Sequence, residues 1–245
     1  IAERKLPLTN GRGAFSSSLA EYAMAAALHF NKKVPTCLAN RAARKWDKFQ
    51  MPVLAGQTLG LLGYGDIARS TARLARAFGM RVVALRRRAG ELDPEGLLDL
   101  TLGPYGGGPI EFSHKRALLS QCDVVVSTLP GTDETRHFMG TDEFAAMKEG
   151  ATFISLGRGV VVDEAALARA LPRLGGAALD VFETEPLPPK SPLWDAPDDK
   201  FLLTAHNADF TTDYYELGWQ VWCDNLDRYL AEEPLAPPVA PAAGS

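Results

Sequence analysis

Long apolar runs are the first thing missing. None approaches the roughly 18 uninterrupted residues that a bilayer helix needs, because even the stretch from Leu19 to Phe30 is broken by Glu21 and His29. No membrane span is expected. Cysteine is equally sparse, with Cys37, Cys122 and Cys223 far apart, no CxxC pair and no histidine at ligand spacing. That excludes a disulfide framework and a zinc site, so no metal is expected and reduced, buried thiols are the ordinary reading. An excess of positive charge is lacking too. The 26 Lys and Arg against 30 Asp and Glu leave a formal net charge of -4, which gives no general attraction to phosphate polymers, so nucleic acid is not an expected partner. Residues 1–10 lack the basic-then-apolar pattern of a secretory leader. The default expectation is cytoplasmic, with an organelle left open because the sequence does not begin with Met.

What is present is enough apolar material, 46% of 245 residues, for one large core or two modest ones. Ser18-Leu-Ala-Glu21 reads as a capping box that starts a helix, carried by Ala23, Ala26, Ala27 and Phe30 to a break at Pro35. A basic polar stretch, Arg41 to Lys48, follows. From residue 53 short apolar runs alternate with helical segments, as in a parallel sheet covered on both faces. Six strands are predicted: Thr58 to Leu62, Arg81 to Leu85, Asp123 to Leu129, Ala151 to Leu156, Gly176 to Phe182 and Phe201 to Thr204. Between them, Ile67 to Phe78, Thr141 to Glu149 and Asp163 to Leu171 end at glycine or proline stop signals. The interval Asp93 to Phe112 carries Gly103-Pro-Tyr-Gly-Gly-Gly-Pro109 and reads as an inserted loop. A closing helix is expected over Asp213 to Glu232 with Leu217, Val221 and Tyr229 inward, and a disordered tail from Pro234. The fold class is α/β, a doubly wound parallel sheet.

Gly63-Tyr-Gly65-Asp66-Ile67-Ala68 ends the first of these strands and opens a helix. This is the dinucleotide fingerprint of a Rossmann fold in its proper context. Gly63 permits the tight turn, Gly65 lets a pyrophosphate approach the backbone, and the helix N-terminus favours the anion. At the end of the next strand, where an acid would bind the ribose 2'-hydroxyl of NAD, stand Arg86, Arg87 and Arg88. Cations there suit a 2'-phosphate, so NADP is preferred over NAD; the competing reading is a solvated charge run.

Arg158, Glu185 and His206 each leave the C-terminal end of a predicted strand, the edge where open α/β sheets bind ligands. Hydride exchange with an alcohol carbon needs a group to supply or remove the hydroxyl proton, and His206 suits it. Glu185 would orient the imidazole, and the planar fork of Arg158 would clamp a carboxylate and polarise the adjacent carbonyl. Taken singly, each also fits a surface ion pair or a strand-end histidine. His29, His114 and His137 read as structural or exposed.

Together, the glycine turn, Ser155-Leu-Gly-Arg-Gly-Val-Val-Val-Asp163, Ala178-Leu-Asp-Val-Phe-Glu-Thr-Glu-Pro186 and Leu203-Thr-Ala-His206 resemble the D-isomer-specific 2-hydroxyacid dehydrogenases across residues 9 to 231. The resemblance implies catalytic roles for Arg158, Glu185 and His206, a cofactor-side loop at Leu129 to His137, and Asp180 near the nicotinamide carboxamide. Candidate cofactor contacts are then Gly63, Gly65, Asp66, Ile67, Arg86 and Arg87, joined by Leu129, Pro130, Thr135, Leu156, Gly157 and Asp180. The arginine run looks like that of NADP-using glyoxylate and hydroxypyruvate reductases, which implies a small 2-oxo or 2-hydroxy acid as substrate and a homodimer. Glu185 argues against the related formate dehydrogenases, which pair the histidine with Gln. The family's N-terminal substrate segment is not in this sequence, and Ala205 stands where the family has Pro. The expected organisation is a Rossmann domain over 15–206, a remnant of the substrate domain at 1–14 and 207–233, and a tail at 234–245. An impaired nucleotide-binding sensor or corepressor-like protein is the second reading.

Overall fold

The computed structural model describes residues 8–236. Seven strands, β1 (Thr58–Leu62), β2 (Arg81–Leu85), β3 (Leu100–Leu102), β4 (Val124–Ser127), β5 (Thr152–Ser155), β6 (Gly176–Leu179) and β7 (Phe201–Leu203), form one sheet. All six pairings are parallel and the order is β3-β2-β1-β4-β5-β6-β7. Parallel neighbours need crossovers, which the helices provide. These are α1 (Ser16–Asn31), α2 (Val34–Ala42), α3 (Asp66–Ala77), α4 (Phe112–Leu119), α5 (Thr141–Ala146), α6 (Glu164–Ala170) and α7 (Tyr214–Leu230).

The period of two along each strand divides the side chains between two cores. Leu59, Leu61, Val82, Val126 and Ile154 face α1 and α3, where they meet Ala23, Ala27, Ala68 and Ala72. Leu62, Val83, Val125, Phe153 and Leu179 face α4, α5 and α6, where they meet Leu118, Phe144 and Leu167. Because both faces are covered, β1 is apolar at every residue but Thr58 and buried throughout, the continuous pattern of an interior parallel strand. Small alanines let α1 and α3 approach each other closely.

Several expectations need correction. Ser18 does not cap α1: the helix starts at Ser16 behind Phe15, with no side-chain cap bond, and the Ser18 hydroxyl instead donates to the Ala208 carbonyl at 2.5 Å. A tertiary partner wins over the local one. Pro35 does not end the first helix, which stops at Asn31; it opens α2 in the first turn, where a missing N–H costs nothing. The interval Asp93 to Phe112 is not wholly loop, since β3 lies within it and pairs with β2. Its Gly and Pro density masked three residues whose order comes from the neighbouring strand. Helix α4 also escaped the sequence reading. In α7, Leu217 and Val221 are half-buried, but Tyr229 is 63% exposed and does not face inward. The start of the tail is held rather than loose: Asn225 Nδ2 donates to the Ala236 carbonyl at 2.8 Å and Ala236 N–H to Asn225 Oδ1 at 2.9 Å. The rest of the expected disordered tail, and residues 1–7 of the expected remnant, lie outside the described residues.

Candidate active site

Strands β1 and β4 are neighbours whose crossovers leave in opposite directions, so a crevice opens beyond their C-terminal ends. Gly63 takes φ +88, a left-handed turn that other residues resist, and its N–H donates to the Leu85 carbonyl at 2.9 Å. A Cβ on Gly65 would meet nothing within 4 Å, which leaves open room before the N-terminus of α3. Asp66 begins that helix. Its carboxylate is bonded to Arg12 at 2.5 Å and also to Arg69. Burial acts to raise its pKa, but the two guanidiniums outweigh burial and hold it below the usual carboxylate range. Ile67 and Leu129 line the cleft beside Gly65.

Thr135 folds its loop onto itself, with Oγ1 donating to the Pro130 carbonyl at 2.5 Å and accepting from Thr132 N–H at 2.9 Å. The arginines diverge. Arg87 pairs with Glu134 at 3.0 Å and Arg88 with Glu91 at 3.1 Å, all exposed. Arg86 instead lies over the Tyr64 ring, 5.7 Å from its centroid, and its Nε and Nη2 are buried without a hydrogen-bond partner among the described residues. Buried donors are rarely left so, and a guanidinium at a cavity wall has the geometry and charge to pair with an anion. The cavity, about 830 Å³, is walled by Tyr64, Arg86, Arg87, Arg88, Gly107 and Gly108. The dinucleotide reading therefore fits these residues: a free cation at one end and uncluttered glycine at the helix turn.

Beyond β5, Gly157 and Gly159 flank Arg158. A Cβ on Gly159 would lie 1.8 Å from the Phe182 carbonyl carbon, so only glycine lets the loop carrying Arg158 touch the loop carrying Glu185. Arg158 Nη1 donates to the Gly157 carbonyl at 2.9 Å. Glu185 Oε1 accepts Phe182 N–H at 2.9 Å, and Oε2 lies 2.7 Å from His206 Nδ1. Burial pushes the Glu185 pKa up, yet the His206 bond, the Phe182 N–H and the charges of His206 and Arg158 hold it below its ordinary value. The peptide before Pro186 is cis. His206 sits at φ +52, a left-handed conformation that costs a non-glycine residue about 1 kcal/mol. Asp180, 1% exposed, supports that conformation. Its carbonyl accepts His206 N–H at 2.8 Å, and its carboxylate accepts from Thr204 Oγ1 at 2.6 Å, Asn207 N–H at 3.0 Å and Ala208 N–H at 3.2 Å.

Arg158, Glu185 and His206 thus open onto one cleft of about 1120 Å³, together with Gly65, Ile67, Leu156, Gly157 and Asp180. A neighbouring cavity of about 910 Å³ takes in Gly63, Arg86, Pro130 and Thr135. The sequence reading missed Arg12, which no spacing rule ties to the glycine turn, and the pair His137–Glu183, whose Nε2 and Oε1 lie 2.5 Å apart and join the loops after β4 and β6. His114 Nδ1 accepts Glu111 N–H at 3.2 Å at the start of α4. Among the described residues no group of three His, Cys, Asp or Glu side chains is placed to hold a metal ion, and no helix is long and apolar enough to cross a membrane.

Residues 24–208 match the model of the D-isomer specific 2-hydroxyacid dehydrogenase NAD binding domain. A glyoxylate reductase of Aeropyrum pernix is 42% identical over 143 residues, covering 57% of this chain and 39% of the relative. One of Korarchaeum cryptofilum is 34% identical over 219 residues, covering 84% of this chain and 60% of the relative. The chain therefore spans 39% to 60% of the length of these two relatives. Among solved structures, a D-isomer specific 2-hydroxyacid dehydrogenase of Xanthobacter autotrophicus Py2 in complex with NADPH superposes with TM-score 0.82 at 30% identity, covering 97% of this chain and 93% of that one. An NADPH-dependent glyoxylate/hydroxypyruvate reductase of Sinorhizobium meliloti gives 0.83 at 25% identity, covering 98% and 74%. With its doubly wound sheet, its glycine turn and a family match over well more than half its length, this chain belongs to the D-isomer specific 2-hydroxyacid dehydrogenases.

Proposed function

We propose that the chain carries the cofactor-binding and catalytic portion of a reductase that converts a small 2-oxo acid, such as glyoxylate or hydroxypyruvate, to the 2-hydroxy acid with NADP(H) in preference to NAD(H). The observation that carries the proposal is the His206–Glu185 contact of 2.7 Å, opening onto the same cleft as Arg158 and the glycine turn. Relatives named glyoxylate reductase support the substrate class. Residues 15–206 form the dinucleotide domain in this reading, with 1–14 and 207–233 belonging to a substrate domain. Assembly as a homodimer is part of the proposal, favoured by the exposed Leu38, Trp46 and Val53 around and beyond α2, with sedimentation velocity as its check.

When bound, the reduced nicotinamide supplies the hydride. Gly63, Gly65, Asp66, Ile67, Leu129, Pro130, Thr135, Leu156, Gly157 and Asp180 would line its seat. Arg86, with two buried and unpartnered nitrogens, would hold the 2'-phosphate, with Arg87 beside it. Arg158 binds the substrate carboxylate and draws charge onto the carbonyl oxygen as that charge develops. His206 Nε2 holds the proton that this oxygen receives, while Glu185 grips Nδ1 and fixes the ring's orientation and tautomer. In the reverse direction His206 takes the proton back.

The test is a fluorescence titration with NADPH and NADH, followed by turnover with glyoxylate and hydroxypyruvate. NADPH binding with turnover supports the proposal, and a preference for NADH refutes the role of Arg86. His206→Gln should abolish turnover with cofactor affinity nearly unchanged; a large loss of NADPH binding would sink the role assigned. Binding in the wild type without turnover would favour a nucleotide sensor instead.

A further inference from the structure

Arg12 belongs to no motif, yet among the described residues it is the one shared by the 830 Å³ cavity of Arg86, Arg87 and Arg88 and the catalytic cleft of Arg158, while the 910 Å³ cavity joins that cleft through Gly65, Leu129 and Pro130. A dinucleotide that spans the two cavities carries its pyrophosphate at their junction. The local charge supports the same position. Asp66, at the head of α3, is met by two guanidiniums, Arg12 and Arg69, so one positive charge is left in excess beside the open room at Gly65. Arg69 stands on the helix itself, three residues on, and is 33% exposed, whereas Arg12 is 58% exposed and comes from outside the helix. Gly11 and Gly13 flank it, leaving no adjacent side chains to hem in the guanidinium. Withdrawal of Arg12 would leave Asp66 paired with Arg69, so the exchange uncovers no buried charge.

We propose that Arg12 is a cofactor-binding residue that exchanges Asp66 for a pyrophosphate oxygen of the dinucleotide. The inference rests on the dinucleotide reading above and separates from it in one respect: the pyrophosphate is common to NADH and NADPH, whereas Arg86 faces the 2'-phosphate that only NADPH has. Loss of Arg12 should weaken both cofactors equally.

The experiment titrates wild type, Arg12→Ala and Arg12→Lys with NADH and NADPH by fluorescence, with a thermal melt of each variant. Inorganic pyrophosphate is added as a competitor. Removing a charge-assisted hydrogen bond at a half-exposed position predicts that Arg12→Ala raises both dissociation constants by about tenfold. Arg12→Lys should recover part of the loss, and competition by pyrophosphate seen in the wild type should fade in Arg12→Ala. Unchanged constants in Arg12→Ala overturn the inference, as does a rise for NADPH alone. A rise for both that comes with a lowered melting temperature and no rescue by lysine assigns Arg12 to the fold and overturns it too. Wild type that binds neither cofactor refutes the dinucleotide reading itself, a separate outcome.

Discussion

Gly159→Ala is expected to disable catalysis while leaving the cofactor seat intact. The new methyl would start 1.8 Å from the Phe182 carbonyl carbon, 1.9 Å from its oxygen and 2.5 Å from Glu183 N. All three are backbone atoms, so no side chain can swing aside. Bringing the closest contact out to about 3 Å means parting the Arg158 and Glu185 loops by roughly 1 Å, and a displacement of that size at a reacting centre costs about 100-fold in rate. Overpacking of this kind typically costs about 1–3 kcal/mol in stability, which for a chain of this size lowers the melting temperature by about 2–12 °C. The assay is kcat/KM for glyoxylate reduction beside the NADPH dissociation constant, with Gly218→Ala as control. At Gly218, inside α7, an added Cβ meets nothing within 4 Å, and alanine there should be neutral or stabilising by about 0.5–1 kcal/mol. Folded Gly159→Ala with wild-type turnover would refute the claim that this backbone contact sets the distance between carboxylate clamp and proton donor.

Arg86→Ala should raise the NADPH dissociation constant by about 10-fold or more while leaving NADH nearly unchanged, since a hydrogen bond to a charged group contributes about 1.5–3 kcal/mol; equal effects on both cofactors would count against a 2'-phosphate site. The Glu185 carboxyl titrates below its ordinary value in the folded state, so the native form binds fewer protons than the unfolded one. Its stabilisation is therefore complete above the ordinary carboxylate pKa and is lost as pH falls through the lowered one. Urea melts of wild type and Glu185→Gln across that acid window should converge as pH falls; a gap that widens would reverse the sign. Burial, with a smaller contribution from Asp123, pushes the Cys122 thiol up to about 12. A thiol reagent at pH 8 should label the exposed Cys37 in the native protein and reach Cys122 only after unfolding, as mass spectrometry of the labelled peptides can establish.

Much of the architecture was legible because its signals are local. Strands β1, β2, β4, β5 and β6 are short apolar runs bounded by Gly, Pro or Asp, and α3 and α6 stop just before Gly79 and Pro172, whereas α5 stops at Ala146, short of the expected Glu149. The glycine turn was legible for the same reason, since Gly63 and Gly65 act on their own backbone. What escaped the reading depends on partners distant in sequence. Strand β3 exists because Arg86 N–H and Asp99 N–H bond to Leu102 and Val82, not because Leu100–Leu102 has strong propensity. The helix start at Ser16 was misread because Ser18 bonds to Ala208, 190 positions away. The period of α7 points Tyr229 inward, but an amphipathic stripe does not say how far a neighbouring element extends along it, and Tyr229 is exposed.

The candidate site divides along the same line. Sequence alone determined which groups stand at the strand ends, because a parallel strand delivers its C-terminal residue to the ligand edge wherever it lies in the sheet. It also determined that a cation occupies the end of β2. Only the tertiary structure decided that Glu185 faces His206 at 2.7 Å, that Asp180 holds the His206 loop in its left-handed turn, and that Arg86 is free while Arg87 is paired with Glu134. Arg12 shows the difference most clearly. Fifty-four positions separate it from Asp66, and no period or spacing encodes such a contact; it arises when the packing of α1 on α3 brings the turn just ahead of α1 to the head of α3.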